Sequence, residues 1–136
     1  MLRKISLFML ITIVWSYQKF QMLIPNGDAV PNPCAGQSGI WGGVGHNVAA
    51  GGGLNNQFGL DFNSSGKVWT PELCQKDSDQ DGKSNGFELG DADCKWTPGG
   101  TPEGTATGHP GVCEPMNSSK CQQVNKNITC SPSNYT

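Results

Sequence analysis

The longest apolar run of the chain lies at its amino terminus. Nine of the eleven residues from 5 to 15 are apolar, and Arg3 and Lys4 place positive charge in front of them. A run of this length is shorter than the roughly 20 residues of a membrane-spanning helix, and short side chains stand near its end. The pattern predicts a signal peptide over residues 1–16 and a secreted, extracellular chain that starts near Tyr17, with no membrane anchor after cleavage. A retained anchor is the competing interpretation.

Beyond the predicted signal peptide, apolar and polar positions alternate only over short distances. Tyr17–Ile24 and Phe58–Phe62 have the pattern of short strands, and Gly66–Trp69 has the length of a partner for the second one. Thr70 is typical of a helix N-cap, and Pro71 is favoured at the first helical position. A short helix is therefore predicted to start there and to lead into an acidic segment.

Glycine dominates the segment from residue 39 to residue 59, where it occupies eight of twenty-one positions. Large apolar residues interrupt the glycines, and flexible linkers lack such residues. The segment is therefore predicted to be an ordered irregular loop, in which glycine permits positive φ and a few buried side chains act as anchors. The large apolar residues are Ile40, Trp41, Val44, Leu54 and Phe58.

Cysteines and glycosylation motifs agree with export. An even number of cysteines in a short exported chain is typical of a disulfide framework. Long aliphatic residues are scarce, so the core is expected to be thin and the disulfides to supply much of the stability. The six cysteines are Cys34, Cys74, Cys94, Cys113, Cys121 and Cys130. Sequons, which predict glycosylated surface positions, begin at Asn63, Asn117, Asn127 and Asn134.

The acidic segment DSDQDGKSNGFE, residues 77–88, has the spacing of an EF-hand calcium loop. Gly82 stands at the sixth position, where such a loop turns sharply. A solvated acidic turn is the competing interpretation, although the three aspartates would repel one another without a cation. The ion is expected to be structural, because a single loop with a short entering helix lacks the opening helix pair of a calcium sensor. The predicted ligands are Asp77, Asp79, Asp81, the backbone carbonyl of Lys83, Asn85 and Glu88.

These features predict a small, disulfide-rich, calcium-stabilised α+β domain that is mostly irregular, with short β-strands and one or two short helices. The domain is expected over residues 17–113, followed by a sequon-rich C-terminal tail over residues 114–136. Loss of Arg3 and Lys4 leaves 7 of the 9 basic residues against 11 acidic ones, a formal charge of −4, which disfavours nucleic acid as a partner. The sequence contains no catalytic motif, so an enzyme is not expected.

Several ordered blocks follow one another between Tyr17 and Gly111: LIPNGD at 23–28, VPNPC at 30–34, WGGVGH at 41–46, FGLDF at 58–62, LCQKDSD at 73–79 and ELGD at 88–91. In this order they resemble the temptin family, whose molluscan members include water-borne pheromone proteins. The resemblance implies a secreted, non-enzymatic signalling protein that binds co-secreted peptide pheromones or a receptor protein. The domain also accompanies copper-dependent monooxygenase domains in longer proteins. An accessory domain of that kind and an extracellular matrix or adhesion module are therefore alternative functions.

The partner-binding surface is expected at Trp41, Val44 and His46. Exposed loops on a disulfide-stapled frame commonly carry recognition, and tryptophan is favoured at the centre of interfaces. Trp69 and Trp96 adjoin the calcium loop and are expected to lie in the core, because a domain of this size needs aromatic side chains inside.

Cysteine spacing favours one disulfide and leaves the others open. Cys74 and Cys94 flank the calcium loop, and we expect them to pair because a folded loop of this type brings its ends together. Pairing of Cys113 with Cys121 or with Cys130 costs little more chain entropy than the preferred arrangement and stays an alternative. The preferred remaining pairs are Cys34–Cys113 and Cys121–Cys130.

Overall fold

Short helices connected by long irregular segments form residues 19–130, the part of the chain that the computed structural model describes. The predicted signal peptide and the sequon at Asn134 lie outside the described residues. Between residues 19 and 130, no helix is long and apolar enough to cross a membrane. Residues 19–21 are helical. The further helices are α1 (Gln57–Ser64), α2 (Pro71–Gln75), α3 (Asn85–Glu88) and α4 (Ser119–Val124).

Strands are absent from the described part of the chain, where β-pairing is limited to isolated bridges. The prediction of short β-strands is therefore wrong, and four named helices form where one or two were expected. The small, disulfide-rich and mostly irregular character of the domain is confirmed. The bridges join Pro31 to Ile40 and His46 to Asn55 in antiparallel fashion, and Val48 to Thr129 in parallel fashion.

Helix α1 replaces the strand predicted at Phe58–Phe62. The side chain of Asn56 caps the helix, since its Oδ1 accepts a hydrogen bond from the Gly59 N–H at 2.9 Å. Phe58 and Phe62 are four residues apart, so a helix places both on one face, where their rings stack with centroids 6.3 Å apart. Leu60 lies on the other face and is half exposed. The alternating pattern was a sequence coincidence, and burial of the Phe58–Phe62 pair decides the conformation.

The segment predicted as a partner strand, Gly66–Trp69, is irregular. Gly66 and Lys67 have φ values of +74° and +60°, and such left-handed backbone cannot continue an extended strand. The Lys67 N–H donates to the Phe62 carbonyl at 2.9 Å, so the segment turns back onto the end of α1.

Helix α2 forms as predicted. The Thr70 hydroxyl accepts a hydrogen bond from the Leu73 N–H at 3.1 Å, and Pro71 occupies the first turn. Leu73 and Cys74 are buried, whereas Glu72 is exposed. The helix thus fixes the direction in which the chain enters the acidic segment.

The core lies between α1, α2, α3 and the glycine-rich loop. Trp69 is buried as predicted, and its Nε1 donates to the carboxylate of Asp91 at 2.9 Å. Trp41 is completely buried and its ring meets that of His109 edge-on, with the centroids 5.1 Å apart. Other members of the core are Ile24, Val30, Val44, Phe58, Phe62, Leu73, Cys74 and Leu89, and Trp96 packs against it from a partly exposed position.

Three disulfides close this frame. Cys74 and Cys94 pair as predicted, with their Cα atoms 5.8 Å apart. The preferred Cys34–Cys113 and Cys121–Cys130 pairs are wrong: the bonds formed are Cys34–Cys130 and Cys113–Cys121, the latter being one of the alternatives.

Hydrogen bonds explain this pairing. The side chain of Asn125 holds α4 against Cys113, accepting from its N–H at 2.9 Å and donating to its carbonyl at 2.8 Å. The Thr129 N–H donates to the Asn47 carbonyl at 2.9 Å. The C-terminal segment therefore folds back onto the glycine-rich loop and brings Cys130 to Cys34.

Burial of Trp41 predicts a large effect of its truncation. Trp41→Ala should lower the free energy of unfolding by about 3–5 kcal/mol, because it removes a completely buried aromatic side chain from a thin core. Leu54→Ala is the control, since Leu54 is 79% exposed and its truncation should change stability by no more than about 0.5 kcal/mol. Denaturant unfolding measures both. Similar stability of the two variants would contradict the placement of Trp41 in the core.

Candidate metal site and neighbouring pocket

The loop of residues 77–88 is folded by its own aspartates. The Asp77 carboxylate accepts from the N–H groups of Asp81 and Gly82, at 3.2 and 2.8 Å. The Asp81 carboxylate accepts from the Lys83 N–H at 3.0 Å. Gly82 has a φ of +91°, as the sharp turn at the sixth loop position requires. One carboxylate oxygen each of Asp77, Asp79 and Asp81 lies within 4.8 Å of the other two.

Glu88 and Asp79 add buried charge to this cluster. Their exposed fractions are 1% and 0%. Both carboxylate oxygens of Glu88, and Oδ2 of Asp79 and of Asp81, are buried without a hydrogen-bond partner among the described residues. An unpaired buried carboxylate costs several kcal/mol, so such oxygens need a cation or a proton.

The same burial changes the acidity of the site. Burial, together with the charge of Asp81, raises the pKa of Asp79 to about 9. Burial and the charges of Asp79 and Asp81 raise the pKa of Glu88 to about 10. Both carboxylates therefore favour the protonated form at neutral pH as long as no cation lies among them. A set of several close carboxylate oxygens with unfilled lone pairs fits a hard dication such as calcium.

Asn85, the predicted ligand at the ninth position, is used inside the frame. It is completely buried. Its Oδ1 accepts from the Ser78 N–H at 3.3 Å, and its Nδ2 donates to the Leu73 carbonyl at 2.8 Å and to the Ser78 hydroxyl at 2.9 Å. These bonds pack the loop against α2. The structure thus brings Asp77, Asp79 and Asp81 together, with Glu88 near enough for the charges of Asp79 and Asp81 to act on it, and gives the side chain of Asn85 a supporting role.

Asp61, on α1, supports the loop from the other side and was missed by the sequence analysis. Its carboxylate accepts from the Ser78 hydroxyl at 2.7 Å, from the Lys76 ammonium at 2.9 Å and from the Gln57 amide at 3.1 Å. Burial acts to raise the pKa of Asp61, but these three hydrogen bonds and the Lys76 charge outweigh it and lower the pKa below the ordinary 3.8. The loop template contains no signal for this contact, because Asp61 lies outside the template.

Glu114 also lies near the carboxylates. Its Oε1 accepts from the His109 N–H at 3.1 Å. A Cβ atom placed on Gly108 would lie 3.0 Å from Oε1 of Glu88 and 3.5 Å from Oε1 of Glu114, so Gly108 packs against both side chains. Burial and the charge of Asp81 raise the pKa of Glu114. The sequence analysis missed Glu114 because it placed this residue in the C-terminal tail.

A pocket of about 190 Å³ opens between the glycine-rich loop and α1. Val44 and His46 line the pocket, but Trp41 does not, and its complete burial makes the prediction of an exposed Trp41 anchor wrong. Most of the lining is apolar. Lys67 is also a lining residue, and its Nζ lies 5.0 Å from the centroid of the Phe20 ring. The predicted partner-binding residues are thus divided between the core and a concave surface.

Three of the four sequon asparagines lie within the described residues. Asn63, Asn117 and Asn127 are exposed there. Exposure is what attachment of a glycan requires, and glycosylation at the four positions stays a prediction.

Replacement of Asp61 tests its support of the loop. Asp61→Asn should lower the free energy of unfolding by about 1–3 kcal/mol, because it weakens several charge-assisted hydrogen bonds of a buried group. Lys76→Gln is the matched control. The Lys76 side chain is 54% exposed, so loss of its ion pair should cost less than about 1 kcal/mol.

The pH dependence provides the second measurement for this pair. Because the folded-state pKa of Asp61 is lowered, its contribution is present above pH 3.8 and is lost as the pH falls through the folded-state pKa. The stability difference between wild type and Asp61→Asn, measured by denaturant unfolding, should therefore shrink below about pH 4. A difference that stayed constant down to pH 2 would show that the Asp61 charge does not matter.

Comparisons with known proteins identify relatives of this chain. The family model described as Temptin C-terminal matches residues 14–112. Temptin of Aplysia californica is 48% identical to the chain over 111 residues, which cover 81% of this chain and 88% of that protein. No solved structure matches the chain. The matched segment includes the glycine-rich loop, α1, α2, α3 and the acidic loop between them. The chain therefore belongs to the temptin family.

Proposed function

We propose that this chain is a secreted, non-enzymatic signalling protein that acts in water-borne pheromone attraction. The observation that carries this proposal is the 48% identity to Aplysia temptin across 88% of that protein. Secretion is supported by the apolar amino-terminal segment and by three disulfides, since disulfides form and persist in oxidising compartments. The protein would act by binding co-secreted peptides or a receptor.

Structural calcium is the second part of the proposal. Asp77, Asp79, Asp81 and Glu88 would hold the ion, together with the backbone carbonyl of Lys83. The support is the set of buried carboxylate oxygens that have no hydrogen-bond partner among the described residues. Two ionised carboxylates 4 Å apart would repel by about 4 kcal/mol at an effective dielectric constant of 20, a cost that without a cation is avoided only by binding a proton. A bound dication removes this cost.

Recognition is proposed at the pocket between the glycine-rich loop and α1. Ile24, Val44 and Phe58 give it an apolar surface, and among its described lining residues Lys67 alone carries a full charge. Charge complementarity then selects an occupant with an apolar body and a negative end. We propose that this occupant is an apolar side chain of a co-secreted peptide, next to a carboxylate of the same peptide.

Calcium should stabilise the protein strongly. Single extracellular sites bind calcium at roughly 10⁻⁴ to 10⁻³ M, so about 10 mM calcium should raise the melting temperature by roughly 5–15 °C over the protein in chelator. Glu88→Gln should abolish most of the shift, because it removes one of the two buried carboxylate charges, those of Asp79 and Glu88, that would bind the ion. Thermal unfolding followed by circular dichroism measures this, with sodium chloride of equal ionic strength as the control. An unchanged midpoint in chelator would sink the calcium proposal.

Charge reversal at the pocket tests recognition. Lys67→Glu should weaken binding of 3-phenylpropionate, a small probe with an apolar body and a carboxylate, by about threefold or more, since it replaces attraction by repulsion at an exposed side chain that lines the pocket. The same variant should lose attraction of conspecific animals when it is tested with the co-secreted peptides. Binding can be followed by NMR titration of the residues that line the pocket.

Lys120→Glu is the matched control for Lys67→Glu. Lys120 is exposed on α4 and does not line the pocket, so this variant has the same charge change and should bind and attract like the wild type. Equal binding of the probe by all three proteins would exclude the pocket as the recognition site. Attraction by Lys67→Glu at the wild-type level would exclude the pocket from signalling.

A further inference from the structure

The side chain at the ninth position of the acidic loop, Asn85, forms hydrogen bonds within the frame through both of its polar atoms. In EF-hand loops this position contributes to coordination, often through a water molecule. Here the Oδ1 atom of Asn85 already accepts a hydrogen bond from the Ser78 N–H, and both the Leu73 carbonyl and the Ser78 hydroxyl accept from its Nδ2. Asn85 is also completely buried. One lone pair of the Asn85 Oδ1 is therefore already used, and the side chain is held against α2.

Glu114 brings a further carboxylate to the same place from a distant part of the chain. Its Oε1 and that of Glu88 both lie next to Gly108, at 3.5 and 3.0 Å from the position that a Cβ atom would occupy there. The negative charge of Asp81 acts on Glu114, and that of Glu114 acts on Glu88. One hydrogen bond from the His109 N–H orients the Glu114 side chain, and a carboxylate has lone pairs left after accepting it.

A ligand in this place is indicated by the buried oxygens themselves. Glu88 is 1% exposed and neither of its carboxylate oxygens has a hydrogen-bond partner among the described residues. Asp79 is completely buried, and its Oδ2 also has no hydrogen-bond partner among the described residues. The burial of these oxygens is an observation separate from the position of Glu114, and it points to a cation among the carboxylates.

We propose that Glu114 supplies a further calcium ligand beyond those of the loop, so that the ion is held jointly by the loop of residues 77–88 and by the segment that follows His109. This inference rests on the proposed calcium site. The calcium ion would then connect two distant parts of the chain, the acidic loop and the segment around Glu114. Because the Cys113–Cys121 disulfide lies next to Glu114, calcium would also fix the position of α4.

Glu114→Gln separates a ligand from a merely structural side chain. The amide oxygen of glutamine can still accept the hydrogen bond from the His109 N–H, so this substitution removes the charge and keeps that contact. Calcium binding, measured by isothermal titration calorimetry, should weaken by on the order of tenfold or more, since calcium affinity depends on the number of charged ligands. Glu103→Gln is the control, because Glu103 is an exposed acid whose loss should leave the affinity unchanged.

The melting temperature in chelator and in calcium distinguishes a calcium ligand from a structural side chain. In chelator, Glu114→Gln should melt at about the same temperature as the wild type, because glutamine keeps the hydrogen bond from the His109 N–H and no ion is bound. In calcium, its melting temperature should rise less than that of the wild type. An equal loss of melting temperature in chelator and in calcium would assign Glu114 a structural role and overturn the inference.

The outcomes also distinguish this inference from the proposed calcium site. Wild-type affinity in Glu114→Gln, with binding lost in Glu88→Gln, would leave the loop site standing and remove Glu114 from it. Absence of calcium binding by the wild type would remove both proposals together.

Discussion

Buried negative charge in the loop of residues 77–88 is the constraint on which the surrounding structure depends. Asp79 and Glu88 are almost completely removed from solvent, although burial of a carboxylate is among the most costly events in folding. Several contacts fix the segments that carry these carboxylates. The Cys74–Cys94 disulfide closes the frame, α2 and α3 pack on each other, and Asp61 and Asn85 bind the loop through Ser78. A frame of this kind is stable when a cation balances the charge, which is why calcium is central to the proposed function.

Asparagine side chains form hydrogen bonds to backbone carbonyls of distant segments in this fold. Buried backbone groups must form hydrogen bonds, and in the described residues no strand ladder is available to the irregular segments. Asn56 donates to the carbonyls of Val44 and His46, and so fixes the glycine-rich loop on α1. Asn26 donates to the carbonyls of Leu89 and Gly104. These contacts join segments that are far apart in the sequence, and they explain how a chain with a small apolar core keeps a defined structure.

Glycine allows the close packing that this arrangement needs. A Cβ atom on Gly59 would lie 2.1 Å from the Gly45 carbonyl oxygen, so α1 and the glycine-rich loop touch through their backbones. The pocket forms beside this contact and is lined by the core residues Val44 and Phe58, whereas Trp41 is not among its lining residues. The aromatic side chains therefore stabilise the domain, and the recognition surface that we propose is a concavity with one cation at its edge. Helix α1 lines the pocket and also contacts the acidic loop through Asp61, so both depend on one frame.

The sequence by itself determined the features that depend on near neighbours in the chain. The Thr70–Pro71 helix start, the turn at Gly82 and the Cys74–Cys94 bond all follow from residues within about twenty positions of one another, where local geometry leaves few choices. The family was also readable, because its blocks occur in order along the chain. The acidic loop was readable as an EF-hand-like pattern, although the use of Asn85 within the frame was not, since a template does not include the neighbours that compete for a side chain.

Tertiary structure alone decided the rest. Phe58–Phe62 fits a strand or a helix equally well as a pattern, and only burial of both rings against the core selects the helix. Cys34 pairs with Cys130 across a separation of 96 residues, and chain entropy hardly distinguishes such a pairing from its competitors because the cost of closing a loop grows slowly with length. Glu114 reaches the carboxylates, and Trp41 reaches the core, because distant segments pack together. Those contacts depend on the shape of the whole folded chain, and no short stretch of sequence carries that information.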